Sequence, residues 1–373
     1  MQRDTPTVIP IQPIQSRPTV LAMPVAANPA ASNQAEAAHP LDTRQRPLSD
    51  LRISVTDRCN FRCSYCMPRS VFTPDYPYLA RADLLSFDEI TRFSQIAIDL
   101  GVQKIRLTGG EPLLRKDLPV LIEKLANLPN APELTLTTNA ALLGKYAVQL
   151  KNAGLQRITV SLDGLDDTVF KRMNDADYPV QQVLDGINAA RGAGFKDIKV
   201  NCVVQRSVNL NQVLPLAQYF RNTDVVLRFI EFMDVGATNG WRLDEVVPSQ
   251  SLVDLINAQH PITALQANYV GEVAERWRYT DGSGELGFIS SVTQPFCSDC
   301  SRLRLSTDGK LYTCLFATQG WDVRSLLRDN TINHSEITAR LAAMWQQRTD
   351  NYSERRASHT APLRKVEMSY IGG

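Results

Sequence analysis

The chain has 373 residues, is 43% hydrophobic, and carries 40 Lys plus Arg against 39 Asp plus Glu. That size and composition fit a globular protein with one large domain or two ordinary ones, and the charge balance excludes a general polyanion-binding surface for bulk nucleic acid or membrane. No apolar run approaches the roughly 18–20 residues needed to span a bilayer, and seven cysteines in an odd, clustered arrangement exclude a secreted disulfide framework in favour of metal-bound thiolates in a reducing cytoplasm.

Residues 1–46 differ from the rest. Pro6, Pro10, Pro13, Pro18, Pro24, Pro29 and Pro40 fall among Ala, Gln and Asn. Such a composition buries too little apolar surface to offset its ordering entropy, so a disordered leader is expected. A charged start followed by an unbroken apolar stretch, the mark of a secretory signal, is missing.

From Leu51 the pattern becomes alternating strand and helix. The first strand is expected over Leu51–Val55, and Cys59, Cys63 and Cys66 follow it at C-x3-C-x2-C spacing. Three thiolates this close hold three corners of an iron–sulfur cube and leave the fourth iron open to a small molecule. None of the four histidines (His39, His260, His334, His359) is near enough in sequence to close a four-ligand zinc site there. Ser86-Phe87-Asp88-Glu89 is a capping box that opens a helix to about Leu100. A second strand over Lys104–Leu107 runs into Thr108-Gly109-Gly110-Glu111-Pro112, a turn whose glycines allow close backbone approach to a ligand. Further strands are expected at Leu134–Thr137, Arg157–Ser161, Ile198–Val204 and Val225–Glu231, with a helix over Val180–Ala193.

Six such repeats imply a parallel sheet. A doubly wound sheet and a partial barrel both fit the repeat, but the unusual residues fall at successive strand C-termini, where α/β barrels keep their chemistry. The expected fold is therefore an α/β partial (β/α)6 barrel over 47–260, followed by a different region over 261–350 and an irregular polar tail over 351–373. Arg52, Arg106 and Lys199 lie in or beside apolar strands and need partners or a ligand. Cys202 packs as a small buried hydrophobe.

In the later region Arg302–Ser306 and Lys310–Thr313 flank Asp308-Gly309, a hairpin signal that folds Cys314 back toward Cys297 and Cys300. These three thiols form a second set without an obvious fourth ligand; His334, twenty residues beyond Cys314, would make the set a closed zinc site. Arg302 and Arg304 share one strand face, with Leu303 and Leu305 opposite. Paired guanidiniums beside a metal site suit a phosphate-bearing substrate. A helix is expected over His334–Arg348.

The first cysteine motif, with Tyr65 before its last Cys, resembles the radical SAM superfamily. The longer runs at 59–68, 106–115, 136–139, 160–163, 229–233 and 297–305, with Cys314 and Gly372-Gly373, resemble the GTP 3′,8-cyclase family of molybdenum cofactor biosynthesis from about residue 47 to the end. The resemblance implies one 4Fe-4S cluster on Cys59, Cys63 and Cys66 serving S-adenosylmethionine (SAM), and a second on Cys297, Cys300 and Cys314 serving GTP. It implies SAM contacts at Tyr65, Gly110, Ser161 and Met233, and GTP contacts at Arg52, Arg106, Thr137, Lys199, Arg302, Leu303 and Arg304. Arg52, Arg302 and Arg304 would act in catalysis, and Gly372-Gly373 would reach the active site. In this family a 5′-deoxyadenosyl radical takes the ribose 3′ hydrogen of GTP, and C3′ attacks guanine C8. The product would pass to cyclic pyranopterin monophosphate synthase, an unidentified donor would supply electrons, and the enzyme would be a cytoplasmic monomer or homodimer. Two other readings compete: a radical SAM enzyme acting on a peptide, which would carry more C-terminal cysteines, and a non-enzymatic zinc protein.

Overall fold

A computed structural model describes residues 19–24, 39–356 and 365–373. Among them thirteen strands form one continuous sheet. In chain order they are β1 (Thr19–Ala22), β2 (Asp50–Ser54), β3 (Lys104–Thr108), β4 (Glu133–Thr138), β5 (Arg157–Ser161), β6 (Lys199–Val204), β7 (Val226–Glu231), β8 (Ile262–Ala264), β9 (Glu275–Tyr279), β10 (Glu285–Ile289), β11 (Arg302–Leu305), β12 (Lys310–Tyr312) and β13 (Gln319–Asp322). Their spatial order is β1-β13-β12-β11-β2-β3-β4-β5-β6-β7-β10-β9-β8.

The six central strands, β2 to β7, are parallel and sequential. Helices Phe87–Asp99, Leu118–Ala126, Leu143–Asn152, Val180–Gly192 and Val213–Phe220 lie between them in sequence. This is the partial barrel expected from the sequence. It does not close: β2 is extended by β11 and β7 by β10, so the later region continues the same sheet on both sides. Side chains from β11, β2, β7 and β10 (Arg304, Arg52, Arg228 and Ile289) nonetheless line a single cavity, so the sheet curls around it.

Each helix packs an apolar stripe on the outer face. Phe87–Asp99 is fixed at its start by a reciprocal cap, with the Glu89 N–H donating to Ser86 Oγ (3.1 Å) and the Ser86 N–H to Glu89 Oε2 (2.6 Å). It buries Ile90, Phe93, Ile96 and Ala97, and each large apolar side chain removed from water contributes about 1.5–3 kcal/mol. The strands alternate: Leu51, Ile53, Ile105 and Leu107 are fully buried toward the helices, while Arg52 and Arg106 face inward. A parallel sheet is normally apolar on both faces. Here the inner face is polar because it lines a cavity.

The expectation of a disordered leader is corrected where that segment is described; its remainder, residues 1–18 and 25–38, lies outside the described residues. Thr19–Ala22 adds β1 in parallel to β13. Residues 39–46 pack onto the far end of the chain, where the Thr43 hydroxyl donates to Arg348 O (2.6 Å) and the Trp345 indole N–H to Arg46 O (3.0 Å). The tail is not wholly irregular either: Met368–Ile371 is a turn of helix with Ile371 fully buried.

Candidate active site

The loop after β2 carries the first cysteines. Cys66 N–H and Met67 N–H both donate to Cys63 O (2.9 and 2.8 Å), a turn that keeps Cys63 and Cys66 together. Arg62 N–H and Ser64 N–H donate to Asn174 O and Met173 O, docking the loop on the end of helix Asp167–Asn174. Cys59, Tyr65 and Cys66 line the cavity, and Cys63 packs beside them against the core. Burial, with a contribution from Glu111, pushes the Cys59 thiol up to about 12; burial likewise raises Cys63 and Cys66. Buried neighbouring thiols of this kind stay protonated unless a positively charged group takes them as thiolates. The donor set therefore fits an iron–sulfur cluster.

Gly109 and Gly110 serve this loop directly. A Cβ on Gly109 would lie 2.4 Å from Thr56 O, and one on Gly110 would lie 2.3 Å from Arg58 O. Gly110 N–H donates to Thr56 O and Glu111 N–H to Arg58 O, both at 2.8 Å. The glycines thus let the turn lie against the backbone of the cysteine loop, a reason the sequence reading, which invoked only a ligand, did not contain. Glu111 ties the same turn to the end of β4, accepting from Thr138 Oγ1 (2.7 Å), Asn139 N–H (2.7 Å) and Leu113 N–H (3.0 Å). Burial raises its carboxyl to about 7. Asn139 then donates to Asn60 Oδ1 (2.9 Å), next to Cys59.

Tyr65 is held by Asp163, to whose Oδ2 its hydroxyl donates at 2.8 Å, while Val203 N–H donates to Oδ1 at 2.9 Å. Burial raises the Asp163 carboxyl to about 6. Gly110, Ser161 and Met233 line the same cavity. Glu111, Asn139 and Asp163 lie inside the motif runs at 106–115, 136–139 and 160–163, but the sequence alone assigned them no role.

Cys297, Cys300 and Cys314 also line this cavity. Burial pushes the Cys300 thiol up, but Arg302 and Arg348 outweigh burial and bring it to about 6. Arg302 Nε and Arg348 Nη2 both donate to Cys300 Sγ at 3.3 Å. Burial and Asp350 raise Cys314 to about 12. His334 is not a fourth ligand, since its Nε2 pairs with Asp99 Oδ2 (2.7 Å). Three thiols with guanidinium donors fit a second anionic cluster.

Between the triads runs a row of cations set by strand register. Arg304 on β11 is opposite Arg52 on β2, which is opposite Arg106 on β3. Arg106 Nη1 donates to Thr137 Oγ1 (3.1 Å) and Thr159 Oγ1 (3.2 Å). Lys199 continues the lining, joined by Lys104, Arg157 and Arg228, which the sequence reading did not single out. Burial, then repulsion from Arg304, lowers Arg52, whose Nε has no hydrogen-bond partner and whose nearest carboxylate, Asp50, is 3.9 Å away. Burial and Arg228 lower Lys199 to about 8. Guanidiniums do not escape by losing protons, so the row calls for a polyanion. Alternation turns the Leu303 side chain away from Arg302 and Arg304 into the core, where it is fully buried, so only its backbone faces the cavity side of β11.

The chain terminus enters the cavity wall. Arg304 Nη1 donates to Gly372 O, and Thr108 Oγ1 to Gly373 O at 3.3 Å. Gly372 has φ of 76°, and a Cβ there would lie 2.3 Å from Thr108 Cγ2. Tyr370 anchors the turn, its hydroxyl donating to Asp308 Oδ1 (2.5 Å) and accepting from Lys310 Nζ (3.0 Å).

Comparison with known proteins supplies two family matches, the Radical SAM superfamily over residues 53–220 and Molybdenum Cofactor Synthesis C over 225–354. The GTP 3′,8-cyclase of Acidothermus cellulolyticus is 50% identical over 356 residues, covering 89% of this chain and 98% of that protein. The GTP 3′,8-cyclases of Xanthomonas campestris pv. campestris and Staphylococcus epidermidis are 53% and 46% identical, each over 89% of this chain and 97% and 98% of their own lengths. Among solved structures, Streptococcus suis SuiB bound to its precursor peptide SuiA matches with a TM-score of 0.58 at 13% identity, over 88% of this chain and 77% of that one. At that identity the likeness shows a shared fold alone.

Proposed function

This chain belongs to the GTP 3′,8-cyclase family of radical SAM enzymes, and from that premise we propose that it converts GTP to (8S)-3′,8-cyclo-7,8-dihydroguanosine 5′-triphosphate, the first step of molybdenum cofactor biosynthesis. The observation that carries the reading is that Cys59 and Cys66 of the first triad, all three cysteines of the second, and the Arg304–Arg52–Arg106 row open onto one cavity.

In this reading Cys59, Cys63 and Cys66 hold one 4Fe-4S cluster, and Cys297, Cys300 and Cys314 hold a second. When bound there, the reduced first cluster and SAM would supply a 5′-deoxyadenosyl radical that takes the ribose 3′ hydrogen and leaves as 5′-deoxyadenosine; the C3′–C8 bond would then leave one unpaired electron on the guanine ring, closed to the dihydro product by one electron from the external donor and one proton. Tyr65, Gly110, Ser161 and Met233 border SAM. Tyr65 is kept rigid there by its bond to Asp163. Arg52, Arg106, Thr137, Lys199, Arg302 and Arg304 hold GTP, whose triphosphate offsets the repulsion among the buried cations. Arg52, Arg302 and Arg304 touch the substrate nearest the second triad and steady charge during ring closure. Gly372-Gly373 completes the wall beside Thr108 and Arg304.

The product is passed on to cyclic pyranopterin monophosphate synthase, and a separate donor delivers electrons; the enzyme works as a monomer or homodimer. Among the described residues no helix is long and apolar enough to cross a membrane. The seven free thiols, six of them in the two triads, suit a reducing cytoplasm.

The test is anaerobic incubation of the reconstituted protein with GTP, SAM and dithionite, followed by mass analysis. The expected result is 5′-deoxyadenosine together with a nucleotide of GTP's mass and altered retention. Absence of both overturns the reading.

A further inference from the structure

Arg348 lies on no strand of the barrel, yet it reaches the second cysteine triad. Its side chain is 1% exposed, with the guanidinium over the Trp345 ring at 4.6 Å. From there Nη1 donates to Cys300 O (2.5 Å) and Nη2 to Cys300 Sγ (3.3 Å). Two carboxylates fix it, Asp350 at 3.2 Å and the fully buried Asp42 at 3.4 Å. Asp42 is itself held by Arg46 at 2.6 Å, and Arg46 Nη1 donates to Cys297 O (2.7 Å) and Asp350 O (2.8 Å). The segment before β2 and the residues just after helix His334–Gln346 are thus clamped together directly behind the second triad.

Three buried charges with mutual partners behind one triad, one of them on the Cys300 thiol, are more than packing requires, since apolar side chains would fill the same space at no desolvation cost. A cationic donor on a cluster thiolate draws electron density from the sulfur and makes reduction easier. We propose that Arg348, held in place by Asp350, the Cys300 carbonyl and the Trp345 ring and with its charge partly offset by Asp42, is a positioning residue for the second iron–sulfur cluster that raises its reduction potential through Cys300 Sγ. This rests on the two-cluster reading above.

The test uses the full chain with Cys59, Cys63 and Cys66 replaced by Ala, so that only the second cluster is loaded, and an anaerobic redox titration followed by electron paramagnetic resonance. Arg348→Gln is expected to lower the one-electron reduction constant at least tenfold, about 59 mV. Arg348→Lys, which keeps the charge, restores most of the shift. Asp42→Asn removes a nearby negative charge and moves the potential upward, opposite to Arg348→Gln. A purely structural role would move the iron content of both variants in the same direction and leave the potential of the remaining cluster alone. An intact cluster at unaltered potential in Arg348→Gln, or a downward shift in Asp42→Asn, overturns the inference alone. If Arg348→Gln retains no iron, the upward shift in Asp42→Asn and near-parental potential in Arg348→Lys decide the matter. No iron in the parent variant overturns the two-cluster reading and this inference with it.

Discussion

Replacing Gly110 by Ala tests whether that glycine is required by the cysteine loop or only by a ligand. The added Cβ would stand 2.3 Å from Arg58 O and 3.0 Å from Cys59 N, both backbone atoms that no rotamer change can move. Restoring van der Waals separation requires the turn to retreat by about 1 Å. That displacement breaks the Gly110 N–H to Thr56 O and Glu111 N–H to Arg58 O bonds, each contributing about 1 kcal/mol, and adds overpacking strain of about 1–3 kcal/mol. The expected loss is about 3–5 kcal/mol, a Tm lowered on the order of 5–10 °C. The assay is thermal unfolding of the protein without iron or SAM, so ligand effects are absent. Gly144→Ala is the control, because a Cβ there meets nothing within 4 Å and the residue lies in helix Leu143–Asn152; it should stabilise by roughly 0.5–1 kcal/mol. A Gly110→Ala protein that unfolds with the parent, losing only SAM affinity, refutes the loop-packing explanation.

Three further outcomes follow from the cavity. Arg304→Ala should lower GTP turnover by about tenfold to a hundredfold, the worth of a charged hydrogen bond, while SAM cleavage driven by dithionite changes by less than about twofold; equal losses count against a substrate role. Lys199, depressed to about 8, is charged below that pH and neutral above it, so GTP binding above pH 8 must take up a proton and weaken by up to about tenfold per pH unit. Titration calorimetry in buffers of different ionisation enthalpy reads that uptake, and Lys199→Met should abolish it. Deletion of Gly372-Gly373 should leave iron content and SAM binding unchanged but reduce cyclised product at least tenfold, because the Thr108 and Arg304 contacts to the terminus are lost.

What could be read from the sequence was local. Cys59, Cys63 and Cys66 lie within one loop, and Arg302 and Arg304 share a face by strand alternation, so spacing alone places them. The same alternation sends the Leu303 side chain to the core and leaves only its backbone on the cavity side, a distinction that a motif read as a block does not make. Arg157, Arg228 and Lys104 carried no local mark; only the register of β3 through β7 brings them to one wall. The clamp of Asp42 and Arg46 on Arg348 joins residues about three hundred positions apart, and composition around it pointed to disorder. Seven prolines describe a segment's average tendency, but two buried ion pairs and an indole bond over a few residues are enough to order part of it. The glycine turn was found for a ligand, and its packing on the cysteine loop emerges only once β2 and β3 are neighbours.

The central claim is that a radical generated in this cavity takes hydrogen from the ribose 3′ carbon of GTP. Turnover of GTP deuterated at that carbon, under anaerobic conditions with SAM and dithionite, is its most direct measurement. Deuterium in the 5′-deoxyadenosine, with a matching loss from the cyclised nucleotide, is the predicted result; 5′-deoxyadenosine free of deuterium while labelled GTP is consumed contradicts it.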